Sequence, residues 1–135
     1  MVLPLFLIIS RELRAMDNDI KFLVDTKFGK CVCTTSSWNH ITNGHKIMAK
    51  NEAAIVDTLK EPLYVYKSDK WGNRDVYFAK SQKATYGEKF YTKVVVENNK
   101  EKPNEVITAW PQPDIKGGIE EGGLKHVDSK LGRKK

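Results

Sequence analysis

No stretch of this chain is long and apolar enough to span a bilayer. The one candidate, Met1-Val2-Leu3-Pro4-Leu5-Phe6-Leu7-Ile8-Ile9, falls far short of the roughly 20 residues a membrane helix needs. It lacks the basic flank and small-residue cleavage site of a secretory signal, although its length suits the apolar centre of one. It therefore reads as a core or edge element, and a cytoplasmic location is expected. Cysteine is scarce, with only Cys31 and Cys33. Two apart on a strand-like stretch, they point to one face; a bridge between them is strained, so no disulfide framework is expected. With His40 and His45 nearby, a Cys2His2 zinc site has the right atoms, but C-x-C is not the usual zinc spacing, and two small buried strand residues are the better expectation. Carboxylates do not cluster near the histidines, which disfavours a metal-dependent hydrolase. No metal and no cofactor are expected, and the chain has no internal repeat.

What is present suits one globular domain. At 135 residues the chain is long enough to bury a real core, and 40% hydrophobic residues is ordinary. The formal charge of +6 favours a polyanionic partner, since each cation that neutralises a phosphate releases a condensed counterion. Half of that surplus lies between Lys116 and Lys135, where six Lys or Arg meet three Asp or Glu. Charge alone thus fits either a nucleic-acid-binding domain or a near-neutral domain with a basic tail. The pattern divides into an apolar and helical extension over 1–18, an α+β domain over 19–113 and a flexible basic tail over 114–135.

Ser10 to Asp17 has the pattern of one or two helical turns, with Ser10 as N-cap. Asp19–Val24 and Lys30–Thr34 read as a hairpin around Gly29. Thr35, Ser36 and Ser37 offer N-caps for a short helix ending near Asn43, with Gly44 as its stop. A second helix is expected from Asn51 to Lys60, its apolar stripe supplied by Ala54, Ile55, Val56 and Leu59 and its end by Pro62. Four strands follow, Leu63–Lys67, Arg74–Lys80, Lys89–Glu97 and Glu105–Trp110, and their short connections predict an antiparallel meander. Alternation puts Phe90, Thr92, Val94 and Val96 on one face of the third strand and Tyr91, Lys93 and Val95 on the other. In the fourth, Val106, Thr108 and Trp110 are expected together, opposite Ile107 and Ala109. A face carrying lysine, tyrosine, threonine and tryptophan suits a binding surface better than a core.

Two of the three histidines fall within six residues, His40 and His45, at the junction of a strand and a helix. Imidazole takes and gives protons near neutral pH, so both are candidates for general acid-base chemistry, or else cap a helix and pack beside Trp38. They are five apart, roughly 140° around a helix, and converge only if Gly44 breaks it. His126, in the tail, is set aside.

Taken in order, Thr-x-x-x-Trp-x-His-Ile (Thr34 to Ile41), the second histidine, Ile-x-x-Thr-Leu-x-x-Pro (Ile55 to Pro62), Val94-Val95-Val96 and Val106-Ile107-Thr108-Ala109-Trp110 resemble the phage-associated branch of the barnase, EndoU, colicin and RelE-like nuclease superfamily. The resemblance covers about Lys30 to Trp110. It implies an α+β fold with N-terminal helices and the hairpin packed on a four-stranded antiparallel meander sheet. It also implies a metal-independent endoribonuclease of phage or mobile-element origin with RNA as its partner, and leaves open whether it is a toxin with a cognate inhibitor protein or a phage component. The chain departs from the pattern in two places: Lys46 follows His45 where members often have proline, and Arg74 fits their strand arginine only loosely.

Metal-free RNA cleavage uses the ribose 2′-OH as nucleophile. The protein must remove that proton, protonate the leaving 5′-oxygen and stabilise the phosphorane. His40 and His45 are assigned the acid-base roles, Lys93 the phosphate clamp, and Thr108 a hydrogen bond to phosphate oxygen, matching the family's strand-end threonine. Arg74, Tyr91 and Trp110 are assigned to substrate binding, Arg74 through a bidentate phosphate contact and Trp110 by stacking on a base. For each the plainer alternative is an ordinary one: a helix-end histidine, a solvated lysine, a surface ion pair, a strand threonine, a core-closing tryptophan. The competing readings of the whole chain are a module that holds RNA or single-stranded DNA without cutting it, and a phage structural or interaction protein.

Overall fold

The computed structural model describes residues 20–68, 72–115 and 123–127. The expected extension over 1–18 lies outside them. The hairpin forms from β1 (Ile20–Thr26) and β2 (Gly29–Thr34). On β1, Phe22, Val24 and Thr26 turn inward and Lys21, Leu23 and Asp25 outward, the alternation of a half-buried strand. The turn between them depends on Gly29, whose φ of +110° an L side chain rarely adopts. Thr26 locks it, donating to the Gly29 carbonyl at 2.8 Å and accepting from the Phe28 N–H at 3.0 Å.

Helix α1 (Thr35–Gly44) starts where Thr34 accepts a hydrogen bond from the Ser37 N–H at 3.0 Å, so the cap lies one residue before the expected serines and threonine. It buries Ile41, with Trp38 half-buried beside the core. A 3-10 turn (Lys46–Lys50) leads to α2 (Glu52–Lys60), whose buried Ala54, Ile55, Thr58 and Leu59 form one stripe at helical spacing. Asn51 stands at the N-cap, but its side chain does not cap. Fully buried, it donates to the Ile47 carbonyl and the Thr85 hydroxyl and accepts from the Thr85 N–H, each at 2.8 Å. It ties the start of α2 to a loop more than thirty residues away.

Four strands follow as expected: β3 (Tyr64–Lys67), β4 (Arg74–Ala79), β5 (Tyr91–Glu97) and β6 (Asn104–Gln112). A further strand, β7 (Leu124–Val127), falls in the segment expected as a tail and pairs antiparallel with β3.

The assembly of these pieces overturns the expected fold. The hairpin does not pack, together with N-terminal helices, on a separate four-stranded antiparallel meander. The described residues make one seven-stranded mixed sheet in the order β1-β2-β6-β5-β4-β3-β7, joined by a parallel pair between β2 and β6 at Cys31↔Asn104 and Val32↔Glu105. The physical reason lies in Cys31-Val32-Cys33. All three are fully buried, as a strand covered on both faces and paired on both edges requires, whereas an edge hairpin would alternate.

Both helices pack against strands of this sheet, α1 on β6 and β2, α2 on β5, β1 and β4. The sheet curls so far that the β1–β2 turn meets β4: Phe28 lies edge-on to Tyr77, ring centroids 6.4 Å apart, and the Tyr77 hydroxyl donates to Thr26 Oγ1 at 3.4 Å. Lys125 of β7 reaches the same place, its Nζ 4.3 Å from the Phe28 ring centroid and 2.6 Å from the carboxylate of Asp75, which is almost fully buried. Inside the curl Cys31, Cys33, Ile41, Met48, Ile55, Leu59, Val94, Val96 and Val106 make the core. Each such aliphatic side chain contributes about 1.5–3 kcal/mol on burial.

One register shift alters the expected faces. Val95 pairs with Thr108 but Val96 with Val106, so Ile107 is an extra, bulged residue. Val106 therefore turns inward with Val96, instead of sharing a face with Thr108 and Trp110.

Candidate functional site

The face of the sheet opposite the core holds a row of cross-strand neighbours: Trp110 on β6, Lys93 on β5, Phe78 on β4 and Tyr64 on β3. The next row is Thr108, Val95, Val76 and Tyr66. The rings touch in sequence. Tyr64 stacks on Tyr66 at 6.1 Å between centroids, Tyr66 meets Phe78 edge-on at 6.3 Å, and Phe78 meets Tyr91 edge-on at 6.1 Å.

Cations sit among these rings. Lys93 Nζ lies 4.6 Å from the Trp110 ring centroid and 5.8 Å from that of Phe78, and Lys80 Nζ lies 4.8 Å from Tyr91. His45, released from the helix at the end of α1, stacks on Trp110 with centroids 5.3 Å apart and planes at 28°. The middle of the face is closed, Phe78 having no exposed surface and Lys93 only 7%. Its margins are open: Tyr64, Tyr66, Tyr91, Trp110 and His45 are half-buried, and Lys80 is exposed.

Of the residues expected to carry chemistry, the structure brings His45, Lys93, Tyr91 and Trp110 together and sets Thr108 on the same face. His40 is not among them. It is exposed on α1, and its side chain makes no hydrogen bond, ion pair or ring contact with a described residue. The two imidazoles do not converge although Gly44 ends the helix: His45 stacks on Trp110 of β6 while His40 stays on the exposed side of α1. Arg74 donates through Nε and Nη2 to Glu97 Oε2, both at 3.4 Å, a cross-strand ion pair in place of the bidentate phosphate contact assigned to it.

Cys31 and Cys33 are free thiols in the core. Burial, and then the charge of Cys33, pushes Cys31 up to about 12; burial and then Glu52 push Cys33 to about 12. Neither thiol is a nucleophile at neutral pH. Among the described residues no group of three His, Cys, Asp or Glu is arranged to hold a metal ion. No helix of the described residues is long and apolar enough to cross a membrane.

Sequence reasoning missed Lys80, Phe78, Tyr64 and Tyr66. Their signal was available as period-2 spacing: Tyr64 and Tyr66 on β3, and Phe78 and Lys80 at and just past the end of β4, step along one face. It also missed a cavity of about 700 Å³ at the end of α2, lined by Asp57, Lys60, Glu61 and residues 79–83.

Comparison with known proteins finds no matching family model, no similar curated protein and no similar solved structure. The nuclease resemblance accordingly rests on its short motifs, and the site has to be argued from its own geometry.

Proposed function

We propose that the protein binds single-stranded RNA along the aromatic face of its sheet. The observation that supports this is the open margin of that face, where His45 stacks on Trp110 at one end and exposed Lys80 lies over Tyr91 at the other, with Lys93 and Phe78 closing the floor between them. Unpaired bases stack on aromatic side chains whatever their identity, at about 1–3 kcal/mol per base, and exposed lysines at the margin meet the phosphates. The formal charge of +6 acts in the same direction. Fluorescence anisotropy with a labelled oligoribonucleotide tests it. Affinity is expected to fall steeply with salt, and Trp110→Ala is expected to weaken binding by about 5- to 150-fold, the equivalent of one lost stack. Salt-independent binding, or an unaffected variant, would exclude this face.

A second reading, metal-independent cleavage of the bound strand, is favoured by one observation: His45 and Lys93 both contact Trp110. A half-buried imidazole beside a cation can move a proton while the nearby positive charge stabilises a phosphorane. Incubation with RNA in EDTA would then release fragments ending in 2′,3′-cyclic phosphate. His45→Ala is expected to slow the reaction by about 10²–10⁴-fold, and His40→Ala to leave it unchanged. Intact RNA leaves binding as the function.

A further inference from the structure

The cavity at the end of α2 and the aromatic face share one residue. Lys80 lines the cavity and carries its ammonium group to the Tyr91 ring. Five charged side chains border the cavity: Lys60, Lys80 and Lys83, against Asp57 and Glu61. Asp57 is already occupied. One carboxylate oxygen accepts from the Ser81 hydroxyl at 2.8 Å and the other from Lys83 Nζ at 3.3 Å. Ser81 is spent as well, since its oxygen also accepts from the Lys83 N–H at 3.1 Å. Lys60 is exposed and makes no ion pair with a described residue. Lys83 holds Asp57 with a side chain that is 64% exposed, an ion pair weak enough to be exchanged for another anion. Lys60 and Lys83 also border a second hollow of about 370 Å³ next to the first, so the cationic margin continues around α2.

Resting on the RNA-binding reading above, we propose that this cavity is a backbone subsite. A strand stacked on the aromatic face leaves it past Tyr91 and Lys80, and its next phosphates meet Lys60 and Lys83. The sheet would then supply the base contacts and the β4–β5 connection the phosphate contacts. That connection is held for the purpose by the Asn51–Thr85 hydrogen bonds on one side and the Ser81–Asp57 bond on the other. The subsite predicts a minimum length of RNA below which its lysines contribute nothing.

Anisotropy on the full chain with labelled oligouridylates of about 4 and about 12 nucleotides, lengths that bracket ordinary single-strand sites, tests this. Lys60→Gln/Lys83→Gln should weaken the longer oligomer about tenfold near 0.1 M salt and reduce its salt slope by about 0.7 for each phosphate that is no longer neutralised. The shorter oligomer should bind as before. Lys27→Gln/Lys50→Gln, the same charge change at two exposed lysines elsewhere, should leave the difference between the oligomers intact. Equal losses for both lengths, or with either pair of lysines, would reduce the effect to general charge and overturn the subsite. An unchanged longer oligomer would overturn it too, while the RNA reading stands if Trp110→Ala still weakens both lengths. Failure of the wild-type chain to bind either oligomer removes both proposals. If the double variant melts below the wild type, Lys60→Gln alone repeats the test with no ion pair disturbed.

Discussion

Strand β5 runs through the middle of the sheet and shows two environments on its two sides. Toward the helices, Val94 and Val96 are fully buried among Ile55, Leu59, Val106 and other apolar side chains, and Thr92 satisfies its hydroxyl on Tyr86. Away from them, Lys93 is 7% exposed and Val95 9%. The two sides are almost equally dry, yet one is built from hydrocarbon and the other from rings around a charge. A buried ammonium is costly unless its charge is met, and the faces of Trp110 and Phe78 contribute to meeting it, at about 2 kcal/mol for a desolvated cation–π contact. A side that exists only to seal the sheet would not need that arrangement. On the proposed RNA-binding reading, the first side carries stability and the second recognition.

Alkali should break the comparison hardest, because the two thiols lie on the helix side. Unfolded, they ionise from the ordinary 9.0; folded, they are pushed up to about 12. Between those values the unfolded chain binds fewer protons than the folded one, so stability falls as pH rises. That contribution is fully present below pH 9 and is lost at about 1.4 kcal/mol per pH unit for each thiol. Tyr77, also pushed to about 12 by burial and held back by its bond to Thr26, adds to the loss above pH 10. Urea unfolding at pH 8 to 11 measures it, and Cys31→Ala/Cys33→Ala should flatten most of the slope.

Leu59→Ala tests the same side at neutral pH. It should cost about 2–5 kcal/mol of stability, as deletion of a fully buried side chain does, without changing the RNA affinity of the folded fraction. Lys80→Gln should do the reverse. Removing this exposed charge beside the Tyr91 ring should change stability by about 0.5 kcal/mol or less while RNA affinity falls. If Lys80→Gln instead lowers stability as much as Leu59→Ala does, the division of labour between the two sides is wrong.

Much of the local structure was legible in the sequence. Both α-helices and six of the seven described strands begin and end within a few residues of where capping, periodicity and turn chemistry put them. What the sequence hid was long-range pairing. Nothing local states that β2 will lie beside β6, and the only hint, three consecutive buried residues at 31–33, passes for a short edge strand when scored by alternation. β7 was hidden because Leu124-Lys125-His126-Val127 sits between glycines and charges and gains its order from β3. At the site, Tyr91, Lys93 and Trp110 were readable because strand period sorts them. His40 and His45 were not, because which imidazole meets the sheet depends on the path of the chain beyond Gly44.

The bulge at Ile107 gives β6 a change of phase. Before it, the even-numbered Val106 looks toward the helices; after it, the odd-numbered Ala109 does, which leaves Thr108 and Trp110 looking away. Without that extra step, one half of the strand would present its indole to the hydrocarbon interior. The separation of the sheet's two chemistries thus hangs on a single unpaired peptide, and a one-residue change of length between 104 and 112, the bulge included, would turn one half of the strand over.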